Sequence, residues 1–187
     1  HLRTNNRFSA TSVDQLPHHL ASLWLFGHKS LFPIPDIDRS EYMLMLGANP
    51  IASNGSIWTV PDVKKRVKAL QARGGKLVLL DPRHTETARL STGHIAPRPG
   101  TDYAVLGYLV RELLIDGADR EILEHRAVDA DRLADAVEPF TLEHTAHLTD
   151  VDPQALTRLL EAVRGAGRLA VDDDGEMRLA PEEGVEL

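Results

Sequence analysis

The 187-residue sequence contains no cysteine. No disulfide, thiolate zinc site or cysteine-ligated iron–sulfur cluster can therefore form within this chain. It also lacks any run approaching 18 consecutive apolar residues, and its polar N-terminus lacks the apolar segment of a secretory signal. We therefore expect no membrane segment in these residues.

An excess of positive charge is also absent, since 28 Asp and Glu residues against 21 Lys and Arg residues give a formal net charge of −7. Nucleic-acid binding depends on basic surfaces that neutralise phosphates, so we expect no nucleic acid as a partner. A local basic pocket for one phosphorylated cofactor is still compatible with this charge. The hydrophobic and charged contents, 42% and 26%, are those of an ordinary globular domain.

Two short apolar runs, MLML at 43–46 and LVLL at 77–80, each end in a polar turn. The first is followed by GANPIASNG at 47–55, and the second by DPR at 81–83. Between them a helical pattern places Val63, Val67 and Leu70 on one face, which predicts a βαβ unit and a parallel sheet. Because ligands bind beyond the carboxyl ends of such strands, both turns should line one edge.

The remaining sequence is mostly helical. It predicts helices over 16–27, from about 60 to Gly74 with Thr59 as cap, from Thr101 or Asp102 to Gly117, and at four places between 119 and 166. One helical turn within 85–90 and short strands at 94–97 and 168–171 complete the pattern. We therefore predict an α/β, Rossmann-like, three-layer fold with a mainly parallel sheet and a helical C-terminal portion. Residues 1–118 would form the α/β domain, 119–171 its helical extension, and 172–187 a disordered tail.

Several residues at the predicted edge have the chemistry of a nucleotide site. Gly47 would let a phosphate approach the backbone, and Asn49 offers a donor and an acceptor, although both also suit a plain turn. The Asp81 carboxylate could accept hydrogen bonds from two ribose hydroxyls, but a helix cap or a salt bridge to Arg83 would explain it equally well. The Arg83 guanidinium could face either a diphosphate or solvent. Asp102 by itself suits an N-cap. The absence of GxGxxG argues against an ordinary nicotinamide dinucleotide site.

Taken together and in order, TNN at 4–6, GANPIASNG, DPRHTET at 81–87 and RPGTD at 98–102 resemble the molybdopterin oxidoreductases of the dimethyl-sulfoxide-reductase type. That family includes formate dehydrogenases and nitrate reductases. The resemblance covers residues 4–116. It implies a catalytic subunit that carries molybdenum or tungsten on a bis(molybdopterin guanine dinucleotide) cofactor and performs two-electron redox chemistry at the metal.

The resemblance also implies roles for individual residues. The first loop would contact the phosphates and pterin, Asp81 the guanosine, and Asp102 the guanine edge, whose N1–H and 2-amino group a carboxylate can accept together. The expected cofactor-binding residues are Asn6, Gly47, Asn49, Pro50, Ser53, Asn54, Asp81, Arg83, Thr85, Gly100 and Asp102.

Asp14 is the residue that the resemblance implies as the catalytic metal ligand. It follows the TNN segment at the distance where relatives carry the ligating side chain, and a hard carboxylate oxygen suits a high-valent metal. Ser9 and Ser12 are alternative ligands if the loop length differs. Gln15 stands where formate dehydrogenases usually have histidine, which puts formate chemistry in doubt.

Because His1 already lies within the motif region, we interpret the chain as a piece of a longer catalytic subunit. Its partners would be the remaining domains of that subunit and an iron–sulfur electron-transfer region or subunit. The isolated piece is expected to be inactive and without cofactor. A cytoplasmic location is the default, with a periplasmic parent left open. Two other interpretations are a stand-alone nucleotide-binding domain and a scaffold subunit that has lost the metal.

Overall fold

A computed structural model describes residues 5, 6, 8, 9, 15–55, 58, 60–167, 169–171 and 177–179. The chain divides into two compact units, residues 1–35 and 36–187. In the first unit, helix α1 (Leu16–Phe26) ends at Gly27, whose φ is 71° and whose N–H donates to the Leu23 carbonyl at 2.9 Å. The left-handed glycine ends this helix where the sequence predicts.

A three-stranded parallel sheet organises the second unit. Its strands are β1 (Tyr42–Leu46), β2 (Lys76–Leu80) and β3 (Gly93–Ile95), in the spatial order β1-β2-β3. Leu80 lies opposite Leu46 on one side and opposite Ile95 on the other, so the three strands end level. This topology confirms the predicted α/β class with a parallel sheet.

Helices connect and follow the strands. Between β1 and β2 lie α2 (Pro50–Ser53) and α3 (Val63–Ala72), and a 3-10 turn (Ala88–Leu90) precedes β3. After β3 come α4 (Asp102–Ile115), α5 (Arg120–His125), α6 (Ala130–Val137), α7 (Leu142–Thr149) and α8 (Pro153–Gly167). A short antiparallel pair follows, β4 (Leu169–Val171) and β5 (Met177–Leu179). No helix among the described residues is long and apolar enough to cross a membrane.

The central strand β2 is buried on both faces, which explains its uninterrupted apolar sequence. Its alternate side chains enter two separate apolar clusters. Leu77 and Leu79 belong to one cluster with Val67 and Leu70 of α3. Val78 and Leu80 belong to the other, which contains Val105 and Leu109 of α4 and Leu156 and Leu159 of α8. The sheet is therefore the middle of three layers.

Two local expectations differ from the structure. Helix α3 begins at Val63 rather than near residue 60, because Asp62 adopts a left-handed conformation (φ 52°) and its side chain accepts from the Lys65 N–H at 3.2 Å. Pro61 therefore precedes the helix, and Thr59 lies outside the described residues. Within 172–187, where the sequence predicts disorder, Met177–Leu179 form a strand; the other residues of that interval lie outside the described ones.

Gly107 allows α4 to approach the connection between α6 and α7. A Cβ at this position would lie 2.5 Å from Cδ2 of Phe140. We expect Gly107→Ala to lower the free energy of unfolding by about 1–3 kcal/mol through overpacking, despite alanine's helix preference of about 1 kcal/mol. Urea unfolding of the 187-residue chain measures this change. Adding Phe140→Leu should recover part of the loss, and a Gly107→Ala variant as stable as the wild type would contradict the packing argument.

Candidate functional site

The level strand ends bring the first two polar turns together. The Gly47 N–H donates to the Leu80 carbonyl at 2.8 Å, and the Asp81 N–H donates to the Ile95 carbonyl at 3.0 Å. The hydrogen-bond ladder thus continues one residue past β1 and one past β2. Gly47 and Asp81 consequently occupy neighbouring positions, with backbones about 4.8 Å apart. The third loop, residues 96–101, leaves the same edge from β3 and leads into α4.

Two glycines at this edge leave the main chain approachable. Gly47 has a φ of 58° and Gly100 a φ of 78°, a region that residues with a side chain rarely adopt. Apart from the neighbours in the chain, a Cβ at either position would meet no atom of the described residues within 4 Å. The glycines are therefore required by the backbone conformation, and the space beside them is open to a ligand.

Asp81 has one carboxylate oxygen without a hydrogen-bond partner among the described residues. The residue is only 8% exposed, and its Oδ1 accepts from the backbone N–H of Arg83 at 2.8 Å. Of the alternatives that the sequence leaves open, neither a helix cap nor an ion pair with the Arg83 guanidinium occurs within the described part of the chain. Oδ2 of Asp81 accepts no hydrogen bond from any described residue, and Arg83 is exposed beside it.

His94 holds the backbone at Asp81. Its Nε2 lies 2.8 Å from the Asp81 carbonyl oxygen, which can only accept, so Nε2 is the donor. The ring of His84 meets the His94 ring edge-on, with centroids 5.2 Å apart. The sequence offers no periodicity that singles out His94 from the other scattered histidines, and only its position in β3 gives it this contact.

Asn49 belongs to a hydrogen-bonded group that joins two loops. Its Oδ1 accepts from the hydroxyl of Thr87 at 2.8 Å and from the Thr87 N–H at 3.3 Å. Its Nδ2 donates to Oε2 of Glu86 at 2.8 Å. The Ile51 N–H in turn donates to the Thr87 hydroxyl at 3.2 Å. We refer to Asn49, Glu86 and Thr87 as the inter-loop cluster; sequence reasoning missed the latter two, although both lie in the DPRHTET motif.

The other predicted residues of the first two loops differ in accessibility. Pro50 is buried as the first residue of α2, whereas Ser53 and Asn54 are exposed where that helix ends. Asn54 adopts a φ of 53° and closes the helix. Thr85 is 3% exposed, and its hydroxyl accepts from the N–H of Ala88, the first residue of the 3-10 turn, at 3.1 Å.

Asp102 begins α4. The N-cap residue is Thr101, but its hydroxyl donates to the Arg98 carbonyl at 2.7 Å and caps no helical N–H. Asp102 is exposed and makes no hydrogen bond or ion pair with another described residue. Its negative charge lies in the first turn, where the helix dipole stabilises an anion.

The predicted metal ligand is in a different part of the chain. Asp14 and its alternative Ser12 lie outside the described residues, while Ser9 and Asn6 are described as exposed residues of the first unit. Among the described side chains, no three histidines or carboxylates converge as metal ligands. The structure therefore leaves the prediction for Asp14 as a prediction.

Comparisons with known proteins find relatives that are named as oxidoreductases. No family model matches the chain. The α subunit of F420-dependent formate dehydrogenase 2 from Methanococcus maripaludis is 26% identical over 168 residues, which are 89% of this chain and 24% of the relative. The probable oxidoreductase YjgC from Bacillus subtilis is 30% identical over 132 residues, 70% of this chain and 13% of the relative. The chain thus spans about a quarter or less of these relatives.

A solved structure shares the fold. Acetylene hydratase from Pelobacter acetylenicus superposes with a TM-score of 0.57 at 23% identity, covering 68% of this chain and 17% of that protein. At this identity the likeness supports the α/β architecture.

Glu86 offers a pH test of the inter-loop cluster. The hydrogen bond from Asn49 lowers the pKa of Glu86 most, followed by the backbone N–H of Glu86 itself and the positive charge of Arg83. Because folding lowers this pKa, the stabilisation is present above the pKa of the unfolded chain and is lost as the pH falls through the lowered value.

We expect Asn49→Ala to raise the pKa of Glu86 towards its ordinary value, as measured by NMR titration of the side-chain carboxyl. Ser53→Ala, an exposed substitution at the end of α2, is the matched control and should leave this pKa unchanged. An equal pKa of Glu86 in the wild type and in Asn49→Ala would contradict the assigned hydrogen bond.

Proposed function

Because the chain belongs to the molybdopterin oxidoreductase family, we propose that it binds a molybdopterin guanine dinucleotide within an oxidoreductase catalytic subunit. The observation that carries the proposal is the pairing of Gly47 and Asp81 at adjacent strand ends. Gly47 offers an open backbone turn, and Asp81 offers a carboxylate oxygen without a partner among the described residues. A phosphorylated ribose requires both features within a short distance.

The Gly47 turn suits the diphosphate. The absence of a Cβ lets phosphate oxygens approach the main chain closely, and a Cβ built at Gly47 would meet no atom of the other described residues within 4 Å, its chain neighbours aside. The exposed guanidinium of Arg83 adds a positive charge that forms no ion pair with the described residues. Such a local cation would attract the phosphates even though the chain as a whole is negatively charged.

Two carboxylates suit the nucleoside. Oδ2 of Asp81 is available to accept from ribose hydroxyls, as the acidic residue does in other dinucleotide folds. Asp102 has both carboxylate oxygens available for the N1–H and the 2-amino group of guanine. Adenine lacks this pair of donors, so Asp102 would select guanine. Ser53, Asn54 and Gly100 are exposed near the same loops and complete the proposed contacts.

When bound, the cofactor would supply the metal, molybdenum or tungsten, at which two electrons are transferred. The residues of this chain would bind and orient it, and Asp14 would contribute a carboxylate ligand to the metal. The remaining polypeptide of the catalytic subunit and an iron–sulfur region would be the partners. Substrate turnover by the 187-residue chain alone would overturn this division of roles.

The direct test uses the polypeptide of the complete reading frame, produced in a host that makes the cofactor. We expect about one metal ion and two guanine nucleotides per chain, measured by elemental analysis and by acid release of nucleotide. Asp102→Asn should lower the guanine content of this site about tenfold, since an amide opposes one guanine donor with another donor. Asp131→Asn, an exposed acidic residue in the first turn of α6, is the matched control and should retain the nucleotide.

The results distinguish three interpretations. A folded wild-type polypeptide without metal or nucleotide would contradict cofactor binding and support a scaffold. Guanine nucleotide without metal would instead indicate a stand-alone nucleotide-binding domain. Equal nucleotide content in Asp102→Asn and Asp131→Asn would remove Asp102 from the proposed site.

Asp14 is tested separately, because loss of a metal ligand changes the metal content or its spectrum, whereas loss of a nucleotide contact changes the guanine content. We expect Asp14→Ala to lower the molybdenum or tungsten content, or to alter its X-ray absorption spectrum, while the guanine content changes less than twofold. Ser9→Ala and Ser12→Ala are the comparison variants, since these residues are the alternative ligands. An unaltered metal spectrum in Asp14→Ala and an altered one in a serine variant would transfer the role to that serine.

A further inference from the structure

We propose that Asn49 and Thr87 are positioning residues that hold the loop after Gly47 against the loop after Asp81, and that neither contacts the cofactor through its hydrogen-bond acceptor. The proposal rests on the proposed function, because it concerns how that nucleotide site is held together. It also assigns to Asn49 a role different from the direct contact that the sequence suggests.

The hydrogen-bonding capacity of both side chains is nearly used up. Oδ1 of Asn49 accepts two hydrogen bonds from Thr87, which is the usual capacity of an amide oxygen. One of its two Nδ2 hydrogens is given to Glu86. The Thr87 hydroxyl has a single hydrogen, donated to Asn49, and accepts from the Ile51 N–H. No acceptor of Asn49 therefore remains for a ligand.

The bonds cross between loops rather than closing within one. Asn49 follows Gly47 by two residues in the loop after β1, whereas Glu86 and Thr87 belong to the loop that begins at Asp81. Four hydrogen bonds thus connect the two loops that follow the strand ends carrying Gly47 and Asp81. Removing them would free the first loop to move relative to the second.

Burial makes the Thr87 hydroxyl hard to replace. Thr87 is 0% exposed, and its hydroxyl satisfies an N–H in the first turn of α2 that has no carbonyl partner within so short a helix. Without the hydroxyl, the Ile51 N–H and Oδ1 of Asn49 lose their partner in a place that water reaches poorly. We expect the α2 backbone to shift towards water, and the Gly47 turn with it.

The test compares Thr87→Val with Thr87→Ser in the complete, cofactor-loaded polypeptide. Valine keeps the size of the side chain and removes the hydroxyl, while serine keeps the hydroxyl. Thr92→Val is the matched control, because the Thr92 hydroxyl accepts from the Leu77 N–H at 3.1 Å near the opposite, amino edge of the sheet. Each variant is examined at a temperature at which circular dichroism shows it folded.

Two measurements are made on each variant. The first is the rate at which guanine nucleotide is released from the folded protein, and the second is hydrogen–deuterium exchange of the peptide that contains Ile51. We expect Thr87→Val to accelerate both by about tenfold, the usual effect of losing a supporting hydrogen bond behind a ligand. In Thr87→Ser and Thr92→Val, both rates should stay within about twofold of the wild type.

The outcomes separate this proposal from the proposed function. Fast exchange at Ile51 in Thr87→Val with unchanged nucleotide release would show that the inter-loop cluster holds α2 only, and would overturn the positioning role. Equal acceleration of nucleotide release in Thr87→Val and Thr92→Val would also overturn the positioning role, because general destabilisation would then explain the release. A wild-type polypeptide that carries no guanine nucleotide would overturn the proposed function and the positioning role together.

Discussion

The parallel pairing of β2 between β1 and β3 is the constraint on which the rest of the second unit depends. With Leu80 opposite both Leu46 and Ile95, three loops must leave from one edge at the same height. Burial of β2 on both faces fixes this arrangement, because a shift by one residue would send Leu77 and Leu79 to the opposite face of the sheet. The positions of the polar groups at this edge are thus set by an apolar strand that contributes no functional group itself.

The polar groups at this edge fall into two sets. Thr85, Thr87, His94 and the amide of Asn49 are used to hold the loops. Gly47, Gly100, Arg83, Asp102 and one oxygen of Asp81 are left open. A binding site needs both sets, since exposed groups on unsupported loops would lose much of their affinity to ordering.

Periodicity and turn chemistry are sufficient to predict the three strands of the parallel sheet, the helix that follows RPGTD and the edge they create. Apolar burial dominates these elements, and it leaves a direct pattern in the sequence. The start of α3 was misplaced because Asp62 caps from a left-handed conformation, which competes with the proline signal one residue earlier. The inter-loop cluster was not foreseen either, since Asn49 and Thr87 are 38 residues apart and only folding reveals their contact.

The fully used acceptor of Asn49 has an evolutionary consequence. Aspartate at position 49 would still accept from Thr87. Its second oxygen, however, would replace the Nδ2 of Asn49 that lies 2.8 Å from Oε2 of Glu86, and the two carboxylates would repel each other. That exchange is tolerable only if position 86 becomes neutral, and loss of the hydroxyl at 87 leaves little reason to keep an amide at 49. Positions 49, 86 and 87 should therefore change together among descendants of this sequence. Gly47 should be retained independently of them, because its backbone is left-handed.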